Sequence, residues 1–321
     1  MEMIKPTNWD QVNELDLTIW QRLTSNFWLD ERTPLGSDSK DWGTLTNSEQ
    51  DTYMKVFAGL TLLDSIQSQV GAITMLPDAL TDHEKSVYTY IAANESIHSK
   101  SYSSIFQSLT DTKHINEAFL WAETNEHTQY KAKNILSFYE GYDPLKKKSA
   151  SIMLESFLFY TGFFYTLYLT ANRGILNNAT NVIQLIMRDE QLHGYYIGQK
   201  YQIMMDQMEL TTEEREEYKD GVYDLLMDLY ENEEELIHIL YDSLPVSLSD
   251  EVIKFLKWNA NKALMNLGYE ALFSKEESTP TAEILSAMDS SGNSSHDFFS
   301  VVGSSYQIAQ AEDTTDDDWD F

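Results

Sequence analysis

Twice along this chain, a lone acid in an otherwise apolar or uncharged run is followed by a Glu-x-x-His pair. Asp64 precedes Glu95 and His98 by 31 residues, and Glu155 precedes Glu190 and His193 by 35, counted to the glutamates. Residues three apart share one face of a helix, so each pair can aim a carboxylate and an imidazole at a common point. Asp64 lies in FAGLTLLDSIQSQVG and Glu155 in ASIMLESFLFYTGFF. A buried acid there costs several kcal/mol unless it finds a partner. The pattern therefore calls for an all-α fold: a ferritin-like helical bundle in which four long helices converge two histidines and four carboxylates on a buried dimetal-carboxylate site.

The rest of the chain agrees with long helices. Only 13 Gly and 6 Pro punctuate 321 residues, and the stretches between turn signals are too long for strands. Thr46-x-x-Glu49, Thr81-x-x-Glu84 and Thr211-x-x-Glu214 are capping-box patterns, in which hydroxyl and carboxylate satisfy free amides at a helix start. Helices are expected near 9–23, 47–75, 82–109, 112–139, 147–172, 179–206, 212–242 and 249–271. With 7 His among 321 residues, chance predicts about 0.6 Glu-x-x-His pairs. A third pair, Glu235/His238, sits in YENEEELIHILY and reads as a solvated acidic face with one packed imidazole, outside the site.

Charge and composition narrow the function. The 22 basic and 52 acidic side chains leave a formal charge of −30, which repels nucleic acid and anionic membranes; the longest basic run is Lys146–Lys148. With no cysteine, disulfides, thiolate metal sites and a cysteine nucleophile are excluded. The N-terminus lacks the pattern of a secretory signal, which makes the cytoplasm the expected location. Ile152–Leu169 is nearly long enough to span a bilayer. Its Glu155 and the absence of a second spanning candidate make it a buried core helix.

After Phe273 the composition shifts to Ser, Thr, Asp and Glu, and the last ten residues, EDTTDDDWDF, hold six acids and no base. The expected division is a 1–273 helical domain and a 274–321 flexible acidic tail. Phe298, Phe299, Tyr306, Trp319 and Phe321 interrupt that tail and suit a segment that folds onto a partner.

Carboxylates with imidazole suit iron or manganese, and oxygen-dependent redox chemistry is their natural use. Tyr102 lies four residues after His98 and seven after Glu95, on the same helix face, where its phenol is oxidisable. It is one of 19 tyrosines, so packing is the alternative reading. The alternative for the cluster as a whole is a set of structural ion pairs.

These residues resemble the small, or beta, subunit of class I ribonucleotide reductase, and within it the class Ib branch. The resemblance spans nearly the whole chain. It is carried by NFWLDE at 26–31, DTYMKVFAGLTLLD at 51–64, ESIHSKSYSSIF at 95–106, LESFLFYTGFF at 154–164, RDEQLHG at 188–194, NANKALMNLG at 259–268, SHDFF at 295–299 and the terminal DDDWDF.

The resemblance implies that Asp64, Glu95 and His98 bind one metal and that Glu155, Glu190 and His193 complete the other. Two manganese or two iron ions per chain would be held, oxo- or hydroxo-bridged when oxidised. Tyr102 would carry a tyrosyl radical, and Asp189, Trp28 and the tail tyrosine Tyr306 would relay it. The chain would be a homodimer serving ribonucleoside-diphosphate reductase. Its C-terminal tail would dock to a large (alpha) subunit bearing the cysteines that reduce ribonucleotides, and a flavodoxin-like activator protein would supply superoxide to the manganese form. The rival activity is a ferritin-like dimetal oxidase that does not export a radical; Tyr102, Trp28 and the terminus argue against it.

Overall fold

The computed structural model describes residues 5–288, all of whose regular structure is helical. The principal helices are α1 (Glu14–Ser25), α2 (Asn47–Ile66), α3 (Asp82–Leu109), α4 (Thr112–Thr124), α5 (Glu126–Tyr139), α6 (Pro144–Arg173), α7 (Asn177–Gln207), α8 (Thr212–Tyr241) and α9 (Val246–Asn266). Two short ones follow, α10 (Lys275–Ser278) and α11 (Ala282–Met288). The short connection from α6 to α7 and the π-turn and short-helix segment between α2 and α3 return the chain to pack these helices as a bundle.

Local chemistry sets the helix ends. Thr46 and Thr211 form complete capping boxes with Glu49 and Glu214. At α3 only half of the expected box forms. The Thr81 hydroxyl accepts from the Glu84 amide at 2.9 Å, but the buried Glu84 carboxylate binds the Tyr88 hydroxyl and the Leu80 amide instead. The start of α7 is capped from a distance by Asp38, whose carboxylate accepts from the Ala179 amide at 2.8 Å. Two glycines permit close helix contacts. A Cβ on Gly162 of α6 would lie 2.5 Å from the Leu60 side chain of α2, and one on Gly198 of α7 would lie 2.3 Å from the Asn266 carbonyl of α9.

Three sequence expectations change. The helix expected over 112–139 is two, because Asn125 leaves helical geometry and caps α5 by accepting from the Thr128 amide. Helical structure continues past residue 273: Ser274 and Glu277 form a capping box, Ile284 is buried, and the Gln184 side chain donates to the Ala287 carbonyl at 2.7 Å. Finally, a second helical segment, Asn47–Asp78, is also long and apolar enough to span a membrane. Ile152–Leu169 is enclosed on nearly all sides, as expected of a core helix; in Asn47–Asp78 only 56% of the most apolar 18-residue window is buried, the pattern of a bundle helix with one wet face.

Candidate metal centre

The bundle gathers all six expected ligand residues. Asp64 comes from α2, Glu95 and His98 from α3, Glu155 from α6, and Glu190 and His193 from α7, each fully buried. Both lone acids sit where regular α-helix gives way to π turns. Asp64 lies in the last turn of regular helix, three residues before the π turn Gln67–Gly71, and Glu155 lies inside Leu154–Leu158. Such turns widen the helix and re-aim side chains, and they recur at functional sites.

The two Glu-x-x-His motifs cross over. His98 Nδ1 lies 2.9 Å from Glu190 Oε1 but 3.5 Å from its own Glu95. His193 Nδ1 lies 2.8 Å from Glu95 Oε1 but 3.5 Å from its own Glu190. Two ligand-sized groups result, Asp64/Glu95/His98/Glu190 and Glu95/Glu155/Glu190/His193, with the ligand atoms of each within 4.8 Å of one another. Glu95 and Glu190 belong to both, as carboxylates that bridge two ions would. The division expected from resemblance, one glutamate to each metal, is thus not exclusive, because each glutamate faces the opposite histidine.

Hydrogen bonding tests whether metal fits. Both oxygens of Asp64, Glu95 and Glu190, and His98 Nδ1, are buried without an aligned hydrogen-bond partner, which a closed protein interior tolerates poorly. Four carboxylates carry a formal charge of −4, which two divalent cations balance, and the donor set of oxygens and imidazoles suits iron or manganese. Without metal, protons do this work. Burial, then Glu95, pushes the Asp64 carboxyl well above its usual range; burial, then Glu95 and Glu155, does so for Glu190. Burial opposes charge on the imidazoles, yet Glu95 and Asp189 raise His98 to about 10, and Glu155, Glu190 and Glu95 raise His193. Burial likewise opposes charge on Glu95, but the two histidines lower it to about 2.

A consequence for metal loading follows. His98 is raised above its ordinary 6.5, so its contribution to the stability of the metal-free fold is complete below 6.5 and lost as pH climbs through about 10. Metal needs the same nitrogen free of its proton. Adding manganese(II) to the metal-free protein in weak buffer near pH 7 should therefore release protons, read by an indicator dye, and affinity should rise between pH 6.5 and about 10. Uptake of metal with neither effect would contradict this protonation pattern.

Around the cluster a second pseudo-symmetry is broken. The residue before each motif's glutamate faces the other motif's histidine: Asn94 Nδ2 lies 3.5 Å from His193 Nε2, and Asp189 Oδ2 lies 3.3 Å from His98 Nε2. Only the second partner is a carboxylate, and it also accepts from the indole N–H of Trp28 at 2.7 Å. Trp28 stacks on His98 with centroids 6.0 Å apart and planes 16° from parallel. Phe27, Trp28, Ile97 and Asp189 line a crevice over His98 that is too small to admit water. Gln67, which sequence reasoning missed, holds Glu155: its amide donates to Glu155 and to Ser151, and its carbonyl accepts from Tyr139.

Tyr102 is fully buried, and its ring meets the edge of Phe57 at 5.5 Å. Burial raises its phenol well above the ordinary value, and Asp64, Glu190 and Glu95 add to the shift. Its hydroxyl has no aligned hydrogen-bond partner. Glu235 and His238 are exposed and distant from this arrangement, so the third motif stays outside the site, with its imidazole solvated rather than packed. Tyr306 lies outside the described residues, as do Phe298, Phe299, Trp319 and Phe321.

Comparison with known proteins gives the arrangement its family. Residues 8–280 match the model of the ribonucleotide reductase small chain. The chain belongs to the ribonucleotide reductase small-chain family. The beta subunit of ribonucleoside-diphosphate reductase from Mycobacterium leprae is 50% identical over 325 residues, covering all of this chain and 98% of its own length. The Escherichia coli ribonucleoside-diphosphate reductase 2 subunit beta is 48% identical over 322 residues, covering 100% of this chain and 99% of its own. The crystal structure of Streptococcus sanguinis dimanganese(II)-NrdF superimposes with a TM-score of 0.85 at 44% identity, over 89% of this chain and 100% of that one. The small-chain fold is thus the bundle just described.

Proposed function

We propose that this small chain generates and stores the oxidant of a class Ib ribonucleoside-diphosphate reductase, an oxidoreductase that makes deoxyribonucleotides for DNA replication. Asp64, Glu95, His98, Glu155, Glu190 and His193 would hold two manganese or two iron ions. When bound, the metals supply the one-electron oxidation of the Tyr102 phenol. The protein excludes water from that phenol and sets its distance from the ligands.

The observation that carries radical export, rather than a self-contained oxidase, is the contact chain from His98 through Asp189 to Trp28. Asp189 fixes the imidazole's orientation and can take the indole proton as an electron leaves Trp28. The opposite histidine has only the amide of Asn94, which is no base. The route leaves the metal centre on one side.

From Trp28 the radical passes by way of Tyr306 to the large subunit, where the cysteines this chain lacks reduce the ribonucleotide. The acidic segment after residue 288 docks there, its terminal Trp319 and Phe321 supplying apolar anchors. The small chain acts as a homodimer in the cytoplasm, and a flavodoxin-like activator protein serves the manganese form.

Two variants test the export reading. Trp28→Phe, which keeps a ring and loses the N–H, should retain both metals and the tyrosyl signal while nucleotide reduction falls about 100-fold, the upper end for loss of such an outer partner. Unchanged turnover would remove Trp28 from the route. A chain ending before Asp313 should likewise keep metal and radical yet give no turnover with the large subunit; full turnover would end the docking assignment.

A further inference from the structure

Trp28 is not the only aromatic route away from the centre. On the other side, Tyr102 meets Phe57 at 5.5 Å, Phe57 stacks on Tyr53 at 4.5 Å, and Tyr53 meets Trp42 at 5.5 Å. Trp42 is itself buried at 8% exposure, but Lys40 and Gly43 close to it in sequence are exposed, so this ladder of rings leads from the core toward the surface. By ring spacing alone it is as good a conduit as the Trp28 side, where the indole and His98 are 6.0 Å apart. A conducting ladder would discharge Tyr102 onto any reductant in solution.

The difference lies in where a proton can go. A phenol gives up an electron readily only if its proton can leave at the same time, and the fully buried Tyr53 hydroxyl makes no aligned hydrogen bond to a base. Thr166, the side chain within hydrogen-bonding reach of that hydroxyl, offers only another hydroxyl, and Asp38, the carboxylate whose charge also acts on it, is taken up by the amides of Asn178 and Ala179. An alcohol oxygen does not take a phenol's proton. Burial also drives the Tyr53 phenol well above its ordinary range. Trp28, by contrast, hands its N–H to a carboxylate.

We propose that Tyr53 is a closed gate: its baseless hydroxyl blocks the Tyr102–Phe57–Tyr53–Trp42 ladder and leaves Trp28, among the described residues, as the exit for the oxidant. The inference rests on Tyr102 being the radical site. If the gate opened, the Tyr102 radical would take an electron from position 53 and become a phenolate, which solvent reprotonates only when the buried site next opens. The hole would move to Trp42, and a one-electron reductant in solution would refill it.

The test is the lifetime of the tyrosyl signal by electron paramagnetic resonance, in iron-loaded protein with ascorbate as the reductant. Tyr53→Phe should leave the lifetime unchanged. Tyr53→Trp should shorten it several-fold, because an indole can lose an electron without losing its proton at once, and adding Trp42→Phe should restore it. Thr166→Asp, which sets a base beside the Tyr53 hydroxyl, should shorten it too and stands in if Tyr53→Trp does not fold. A longer lifetime in Tyr53→Phe would mean that Tyr53 already conducts, and an unchanged lifetime in a folded, metal-loaded Tyr53→Trp or Thr166→Asp would mean that the ladder is no conduit; either overturns the proposal. A signal that survives Tyr102→Phe would instead fault the radical assignment, a separate failure.

Discussion

Tyr102→Phe is expected to abolish nucleotide reduction with the large subunit while leaving metal content and folding intact. The substitution removes one oxygen from a side chain with no solvent exposure, and that oxygen, which faces Asp64, makes no aligned hydrogen bond. Removing an unsatisfied buried hydroxyl relieves its desolvation cost, so stability should stay level or rise by up to about 1 kcal/mol. The ring and its edge contact with Phe57 remain. A melting temperature near the parent's with turnover at background would mark Tyr102 as chemically needed and structurally dispensable. Retained turnover would move the radical to another tyrosine or remove it from the mechanism.

Glu190→Gln should act oppositely on the metal-free and metal-loaded states. Glu190 stands between the two histidines, 2.9 Å from His98 and 3.5 Å from His193, and belongs to both ligand groups. As a neutral amide it no longer bridges two cations, so the metals bound per chain should fall from two toward one or none. The metal-free protein should melt no lower than the parent, since burial and the neighbouring Glu95 and Glu155 already oppose charge at Glu190. The gain in melting temperature that metal confers on the parent, which grows with ligand concentration over its Kd, should largely vanish. If Glu190→Gln kept two tightly bound metals, the shared-carboxylate geometry would be wrong.

What the sequence made legible follows from which signals are local. Thr46/Glu49 and Thr211/Glu214 mark helix starts because capping chemistry lies within four residues. The same kind of box at Ser274/Glu277 was equally readable, but the polar composition around it masked two short helices that depend on packing at Ile284. Asn125 ends one helix and begins the next inside a continuous periodic run, a break that periodicity does not display.

At the site, the Glu-x-x-His spacing identifies the ligands but not their crossing, because that depends on how α3 and α7 face each other across the bundle. Gln67 escaped notice because its partners Glu155, Ser151 and Tyr139 are distant in sequence. Asn94 carried a readable sign: it occupies the place before Glu95 that Asp189 occupies before Glu190. Trp28 entered only through family resemblance, and its bond to Asp189 supplies the physical reason.

The central claim is that this buried cluster oxidises Tyr102, and one experiment addresses it directly. The metal-free protein is loaded with iron(II), exposed to oxygen, and its electron paramagnetic resonance spectrum recorded beside that of Tyr102→Phe, with metal counted in both. The account predicts two metals per chain in each protein and a tyrosyl signal in the parent alone. The same signal in Tyr102→Phe, or a fully loaded parent with no organic radical by this route or after manganese loading with superoxide, would contradict it.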